Sequence, residues 1–167
     1  MSHRPQLSWA WLAGFFDGDG CVTLSIYARS TWVSYHLYVG FAQKDRTLLD
    51  WIQDYVGCPG TISRGGGAGP GYAWTIKFCQ TAEVVRILES LLPHLIVKRD
   101  QAAISLEAAR LRMAKQQSGR VRYTSEEHDH LQQLAQAMTV AKSCSVNHPV
   151  SISANRLPHQ PVLFQAG

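Results

Sequence analysis

Residues 8–17 are apolar nearly all round: Trp9, Ala10, Trp11, Leu12, Ala13, Phe15 and Phe16 leave no polar stripe. The pattern predicts a helix covered on more than one side, and Ser8 stands where an N-cap hydroxyl belongs. After Gly20 the period changes to two. Val22, Leu24, Ile26 and Ala28 alternate with Cys21, Thr23, Ser25, Tyr27 and Arg29. From Trp32 to Gln43, Val33, Tyr35, Leu37, Val39 and Phe41 oppose Ser34, His36, Tyr38 and Gly40. This predicts two long strands turning around Ser30 and Thr31, with one apolar and one polar face.

Helical spacing returns with Leu48, Leu49, Ile52, Tyr55 and Val56 and stops at Gly57 and Pro59. A second strand pair, residues 61–64 and 72–79, encloses a glycine-rich loop at 65–71. Thr81 is placed to cap a helix carrying Val84, Val85, Leu88, Leu91 and Leu92, which Pro93 closes. The order predicts an α+β fold, αββαββα, with helices on the apolar face of an antiparallel sheet. Two C-terminal helices follow at 100–117 and 125–142. Thr124 and Glu127 have capping-box spacing, and Leu131, Leu134 and Met138 form the apolar stripe. Residues 1–144 form one domain in this reading. Residues 145–167, with three prolines and no acidic side chain, are expected to be a flexible tail.

The chain has 167 residues, 46% apolar and 17% charged, which suits one globular domain and excludes a chain disordered over most of its length. No apolar run approaches the ~18 residues of a membrane span, and residues 1–7 lack a signal-peptide core. A soluble, intracellular protein is expected. The four cysteines, Cys21, Cys58, Cys79 and Cys144, have no paired spacing and are expected to be free, mostly buried thiols. The net charge is +4, and residues 98–122 set seven basic side chains against two acidic ones. Such a window fits either a polyanionic partner or a solvated basic helix face.

The sharpest local feature is residues 12–20, LAGFFDGDG. Ala10, Gly14 and Gly18 recur every fourth position, so another helix can approach this stripe closely. Its neighbour is either the same helix of a second subunit, across a twofold axis, or the chain's own sheet. Asp17 and Asp19 gather at the helix C-terminus, where a carboxylate is unfavourable unless capped or bound to a cation. Mg²⁺ takes oxygen ligands of this kind. An EF-hand Ca²⁺ loop opens similarly, but Val22 stands where that loop needs glycine and Ala28 where it needs glutamate. A plain structural turn is the third reading.

The nonapeptide resembles the signature of the LAGLIDADG homing endonucleases at six positions, Leu12, Ala13, Gly14, Asp17, Asp19 and Gly20; Phe15, Phe16 and Gly18 depart from it. Residues 41–44 and 93–102 are also similar to single-motif members, and the resemblance covers roughly residues 8–140. It implies the homing-endonuclease fold, with a saddle-like sheet. It further implies Asp19 as metal ligand, helped by the main-chain carbonyl of Gly18. Gln43 would position metal or attacking water, Lys98 would stand near the scissile phosphate, and Arg46 is a candidate for the same basic pocket. A single motif copy implies a homodimer, with Trp9, Ala10, Ala13, Gly14 and Asp17 at the interface. The implied cofactor is Mg²⁺, with Mn²⁺ or Ca²⁺ able to take its place. The implied partner is double-stranded DNA, with no membrane and no small-molecule substrate. The implied activity is cleavage at a long pseudo-palindromic site to leave 3′ overhangs, in intron or intein mobility, inside a bacterial cell or an organelle. An RNA maturase or a non-cleaving DNA-binding protein on the same scaffold is the alternative. The joint presence of Asp19, Gln43 and Lys98 favours the nuclease.

The polar strand faces are expected to meet DNA. Thr23, Ser25, Tyr27, Arg29, Ser34, His36, Tyr38 and Gly40 point away from the core in the first hairpin, and Thr61, Ser63, Ala73, Thr75 and Lys77 in the second. A two-stranded ribbon fits the major groove, where such side chains reach base edges. His128 and His130 fall on different helix faces and form no metal pair. The 65–71 loop lacks the Lys-Ser/Thr of a phosphate loop. Arg110, Arg112, Lys115, Arg120 and Arg122 are left as DNA-backbone contacts or solubilising charges.

Overall fold

A computed structural model of the chain describes residues 6–29, 32–65, 73–116 and 123–145. The Ser8 hydroxyl accepts the Trp11 N–H at 3.1 Å and starts helix α1, Trp9–Asp19. This helix runs two residues beyond the apolar pattern, and Gly20 ends it by donating its N–H to the Phe16 carbonyl. Strand β1, Gly20–Arg29, begins at the same residue. A Cβ at Gly20 would lie 2.2 Å from Phe16 Cδ2 and 2.7 Å from Phe16 Cα, so glycine is what lets the helix turn directly into the strand. Gly20→Ala is expected to destabilise the protein by about 1–3 kcal/mol, an overpacking effect, measured as a shift in urea midpoint at unchanged slope.

The sheet order is β1-β2-β4-β3, with every pair antiparallel. β1 pairs with β2, Trp32–Gln43, setting Val22 against Val39, Leu24 against Leu37 and Ile26 against Tyr35. β4, Trp74–Phe78, sets Ile76 against Phe41 and Phe78 against Val39, and β3, Thr61–Arg64, sets Ile62 against Ile76. Period two therefore continues across all four strands and produces one apolar face. β4 is shorter than the sequence predicts: Cys79 lies beyond it and Tyr72 outside the described residues.

The helices cover that face. α2, Arg46–Val56, is capped by the Asp45 carboxylate on the Thr47 N–H at 2.9 Å and ended by Gly57 at φ 72°, in the left-handed region that favours glycine. α3, Thr81–Leu91, has Gln80 as its cap residue; Thr81 is buried inside the first turn and does not cap it. One 3₁₀ turn, Leu92–His94, leads towards α4, Arg99–Gln116, and α5, Ser125–Ser145. The capping box of α5 forms as expected: Thr124 donates its N–H to Glu127 Oε2 at 2.8 Å, and the Thr124 hydroxyl accepts the Glu127 N–H. Leu131, Leu134 and Met138 are buried. The first residue of the expected tail, Ser145, is helical, and residues 146–167 lie outside the described residues.

The Lys115 ammonium, 2.7 Å from Glu127 Oε1, together with the Thr124 N–H, holds the Glu127 carboxyl below its ordinary value. A folded value below the unfolded one of about 4.3 means that the unfolded chain binds the proton more readily. The contribution of this carboxylate is therefore present above that pH and lost as pH falls through the lower folded value. Wild type and Glu127→Gln should differ in stability at neutral pH and converge in acid, as followed by thermal unfolding against pH.

Leu12, Ala13 and Phe16 are fully buried, with the Phe16 ring edge-on to Phe41 at 5.4 Å. Ala13 is thus enclosed by the chain's own core and has no surface to offer a second subunit, a correction to the expected interface set. Ala10, Trp11, Gly14 and Gly18 face solvent. Trp9 is half-buried against Tyr55, with ring centroids 5.3 Å apart. The described thiols are free, but Cys21 and Cys79 are exposed and Cys58 half-buried, because the alternation sends Cys21 to the polar face and Cys79 lies past a strand end. Among the described residues no helix is long and apolar enough to cross a membrane.

Candidate functional site

The end of α1 and the start of β1 converge with the end of β2. Gly20 pairs with Phe41, so Asp19 before it and Gln43 beyond Phe41 share one end of the sheet. Here two groups bridge about 80 residues of sequence in opposite directions. The Asp17 carboxylate accepts the Ile96 N–H through Oδ2 and the Lys98 N–H through Oδ1, both at 2.8 Å. The Lys98 ammonium donates to the carbonyls of Phe16 at 2.9 Å, Asp17 at 2.7 Å and Gly18 at 3.2 Å. The last carbonyls of a helix lack internal partners and carry its negative end; a tethered cation satisfies them here. Burial pushes the Lys98 ammonium below the ordinary lysine range, while Asp17, Cys21 and Asp19 oppose that shift.

The two carboxylates of the motif therefore separate in role. Asp17 is used by two amides, whereas Asp19 is exposed and makes no hydrogen bond or ion pair with a described residue. Gln43 is half-buried, its Oε1 accepting the Lys44 N–H at 2.7 Å. Arg46 is ion-paired to Asp50 at 3.6 Å and lies 5.2 Å over the Trp74 ring, which faces Gln43 across β2 and β4. Lys98 is brought directly onto the Gly18 carbonyl, and Asp19, the next residue, lies within the field of its ammonium. Gln43 and Arg46 share that end of the sheet without a hydrogen bond or ion pair to them.

Among the described residues no three His, Cys, Asp or Glu side chains cluster as metal ligands. The chain offers an open carboxylate, Asp19, and a carbonyl, Gly18, shared with Lys98. That sparse all-oxygen set fits a hard divalent cation that keeps several waters and takes phosphate oxygens.

The polar face is tiled by cross-strand partners: Thr23 with Tyr38, Ser25 with His36, Tyr27 with Ser34, Lys77 with Thr61, and Thr75 with Ser63. Lys77 lies 4.9 Å over the Tyr38 ring, Tyr27 and His36 meet edge to face at 4.5 Å, and the Ser63 and Thr75 hydroxyls are 3.1 Å apart. Gly40 is a correction. It occupies a polar-face position, but a Cβ there would lie 3.1 Å from Cys21 Sγ and 3.2 Å from the Ile76 carbonyl, so the backbone is covered and offers no surface. Ala73 is half-buried just before β4, and the Arg29 side chain lies outside the described residues. Cys21 and Ala42 share this face by the same alternation.

Three further cations of the basic window have partners within the chain. Arg110 pairs with Glu89 at 2.7 Å, Arg112 donates to the Tyr35 carbonyl at 2.7 Å, and Lys115 pairs with Glu127 at 2.7 Å. Arg112 and Lys115 are thereby tied into the fold, Arg110 stays exposed beside its partner, and Arg120 and Arg122 lie outside the described residues. The two histidines diverge as expected: His128 Nδ1 is 2.7 Å from the Tyr35 hydroxyl, and His130 Nε2 is 2.9 Å from Glu107. Burial, with Tyr123 and Asp129, pushes the Tyr35 hydroxyl up to about 12. Lys142, which sequence patterning does not single out, lines a cavity of about 430 Å³ at the end of α1 with Asp17, Gly18, Cys21 and Lys98.

Residues 12–95, just over half of the chain, match the family described as LAGLIDADG endonuclease. The chain belongs to this family. This LAGLIDADG chain is 36% identical over 112 residues to the DNA endonuclease I-CvuI of Chlorella vulgaris, covering 62% of its own length and 65% of the relative's, just under two thirds. I-CvuI in complex with the I-CreI target in 2 mM Mg, its DNA not cleaved, superposes with a TM-score of 0.61 at 23% identity, over 86% of this chain and 85% of that one. The archaeal intron-encoded homing endonuclease I-Vdi141I, complexed with DNA, gives 0.67 at 18% identity over 88% of each chain. The K103A/K262A mutant of I-SmaMI gives 0.65 at 20% identity, over 83% of this LAGLIDADG chain but only 47% of its own. The fold expectation from the sequence is borne out, αββαββα with C-terminal helices.

Proposed function

We propose that this chain is one subunit of a homodimeric, divalent-metal-dependent DNA endonuclease that cuts both strands of a long, near-palindromic target and leaves 3′ overhangs. The observation that carries the reading is the division of labour at the end of α1. Asp17 and Lys98 hold the helix end, and Asp19 is left exposed beside them. Asp19, with the Gly18 carbonyl, would hold Mg²⁺, or Mn²⁺ or Ca²⁺ on the same oxygens. When bound, such an ion supplies an activated water and neutralises charge on the phosphate. Lys98 adds a fixed positive charge whose field reaches Asp19. With its Oε1 held by the Lys44 N–H, Gln43 keeps its amide donors to orient a water, and Arg46 supplies a guanidinium at the same end of the sheet.

A second subunit completes this sparse donor set. The exposed stripe Ala10, Gly14 and Gly18 fits a twin helix, since a Cβ at Gly14 or Gly18 would meet nothing within 4 Å. Trp11 and Val97 are exposed apolar side chains on α1 and on the segment that Asp17 holds to it. The match to only 47% of the I-SmaMI chain leaves room for a second copy of the fold in that protein, as a dimer would supply here. The polar face, from Thr23 through Tyr38 to Thr75 and Lys77, would lie in the major groove and read base edges. The reading is supported by the relative named DNA endonuclease I-CvuI and by neighbours solved on DNA. It is tested by selecting bound duplexes from a randomised pool in Ca²⁺. One recurring near-palindrome, with affinity falling steeply with salt, is expected; recovery of no preferred sequence contradicts it.

A further inference from the structure

A lysine ammonium has three donors, and the three carbonyls of Phe16, Asp17 and Gly18 meet those of Lys98. While that set is intact Lys98 has no donor left for a phosphate. A second ammonium reaches the same cavity from α5. Lys142 lines it beside Cys21, Val97 and Lys98, and among the described residues it forms no ion pair. Of the cations that act on the Cys21 thiol, Lys142 acts most strongly, ahead of Lys77 and Lys98.

The helix puts it there for a reason visible in its spacing. Leu131, Leu134 and Met138 are the buried stripe of α5, and Lys142 is the next position on that stripe, four residues past Met138. A lysine stands where the pattern calls for another apolar residue, at the point where α5 passes the end of α1. The start of α5 is fixed by the Thr124–Glu127 box and by His128 on the Tyr35 hydroxyl. Its last turn carries the negative end of the helix dipole, which favours a cation. The family match ends at residue 95, so Lys142 belongs to a part of the chain outside it.

We propose that Lys142 is a further side chain at the Asp19 end of the sheet that contacts the DNA phosphate directly, beside Lys98, whose charge stays tied to the end of α1. This rests on the endonuclease reading above. Neutralising one phosphate contributes about 0.9 to the slope of log affinity against log salt. On a duplex recovered by selection, in Ca²⁺, Lys142→Met is therefore expected to flatten the slope by about one unit per protomer and to slow cleavage in Mg²⁺. Lys142→Arg should keep the slope. Lys98→Met should lower the thermal midpoint and slow cleavage while changing the slope little, because its three donors are already taken by carbonyls. Methionine suits the apolar stripe, so Lys142→Met should fold, with a thermal midpoint at or above that of the wild type. A wild-type slope and cleavage rate in Lys142→Met, or a flattened slope in Lys98→Met alone, overturns the assignment while leaving the endonuclease reading intact. A wild type that binds no duplex overturns both.

Discussion

Asp19→Asn is expected to abolish cleavage while preserving the fold and the affinity for DNA. Asparagine keeps the shape of the side chain and removes only its charge. Asp19 is exposed and has no hydrogen bond or ion pair with a described residue, so the fold loses only its attraction for the Lys98 ammonium through space. The loss falls on the metal and, through it, on the developing charge at the phosphate, where removal of a single stabilising group lowers rates by about 10²–10³-fold. Asp17→Asn should behave in the opposite way. Its carboxylate accepts two backbone N–H groups, and an amide offers only one acceptor oxygen. The unmet N–H should lower stability by about 1–3 kcal/mol. Cleavage assays beside thermal unfolding separate the two variants; an Asp19→Asn protein that cuts at the wild-type rate contradicts the assignment of the ligand.

Gly14→Leu is expected to leave a folded protomer that no longer dimerises. A Cβ at Gly14 meets nothing within 4 Å, so the side chain has room in the isolated subunit. Replacing a helical glycine with a good helix former even favours α1 by roughly 0.5–1 kcal/mol. The same bulk placed between two helices in close approach separates them. Sedimentation should show dimer for the wild type and monomer for Gly14→Leu at equal or higher thermal stability, with loss of double-strand cleavage. A variant that remains dimeric moves the interface away from the stripe of Ala10, Gly14 and Gly18.

What could be read from the sequence was whatever depends on neighbours along the chain. Period two located all four strands and the polar face from Thr23 to Lys77, and the caps at Ser8 and Thr124 with the stop at Gly57 set helix limits. What depends on partners far along the chain was not legible. Asp17 was seen to need a partner, but the amides of Ile96 and Lys98 lie about 80 residues away. The positive window counted charges without their partners, and Arg110, Arg112 and Lys115 proved to be engaged within the fold. Alternation put Gly40 on the polar face and could not show Cys21 and the next strand closing over it. The resemblance put Ala13 at the interface with the rest of the motif helix, whereas the chain's own core fills in around it. Lys142 had a signal, a charge on the stripe of Leu131, Leu134 and Met138, which gains meaning only once α5 is seen to end beside α1.

The central claim is that an exposed Asp19 at the end of each motif helix cuts DNA at one site. Incubating the full chain with a randomised duplex library in Mg²⁺ and sequencing every broken end tests it most directly. Double-strand breaks with 3′ overhangs at one recurring near-palindrome are predicted, absent with chelator and absent with Asp19→Asn. No breaks in Mg²⁺, or the same breaks from Asp19→Asn, would contradict it.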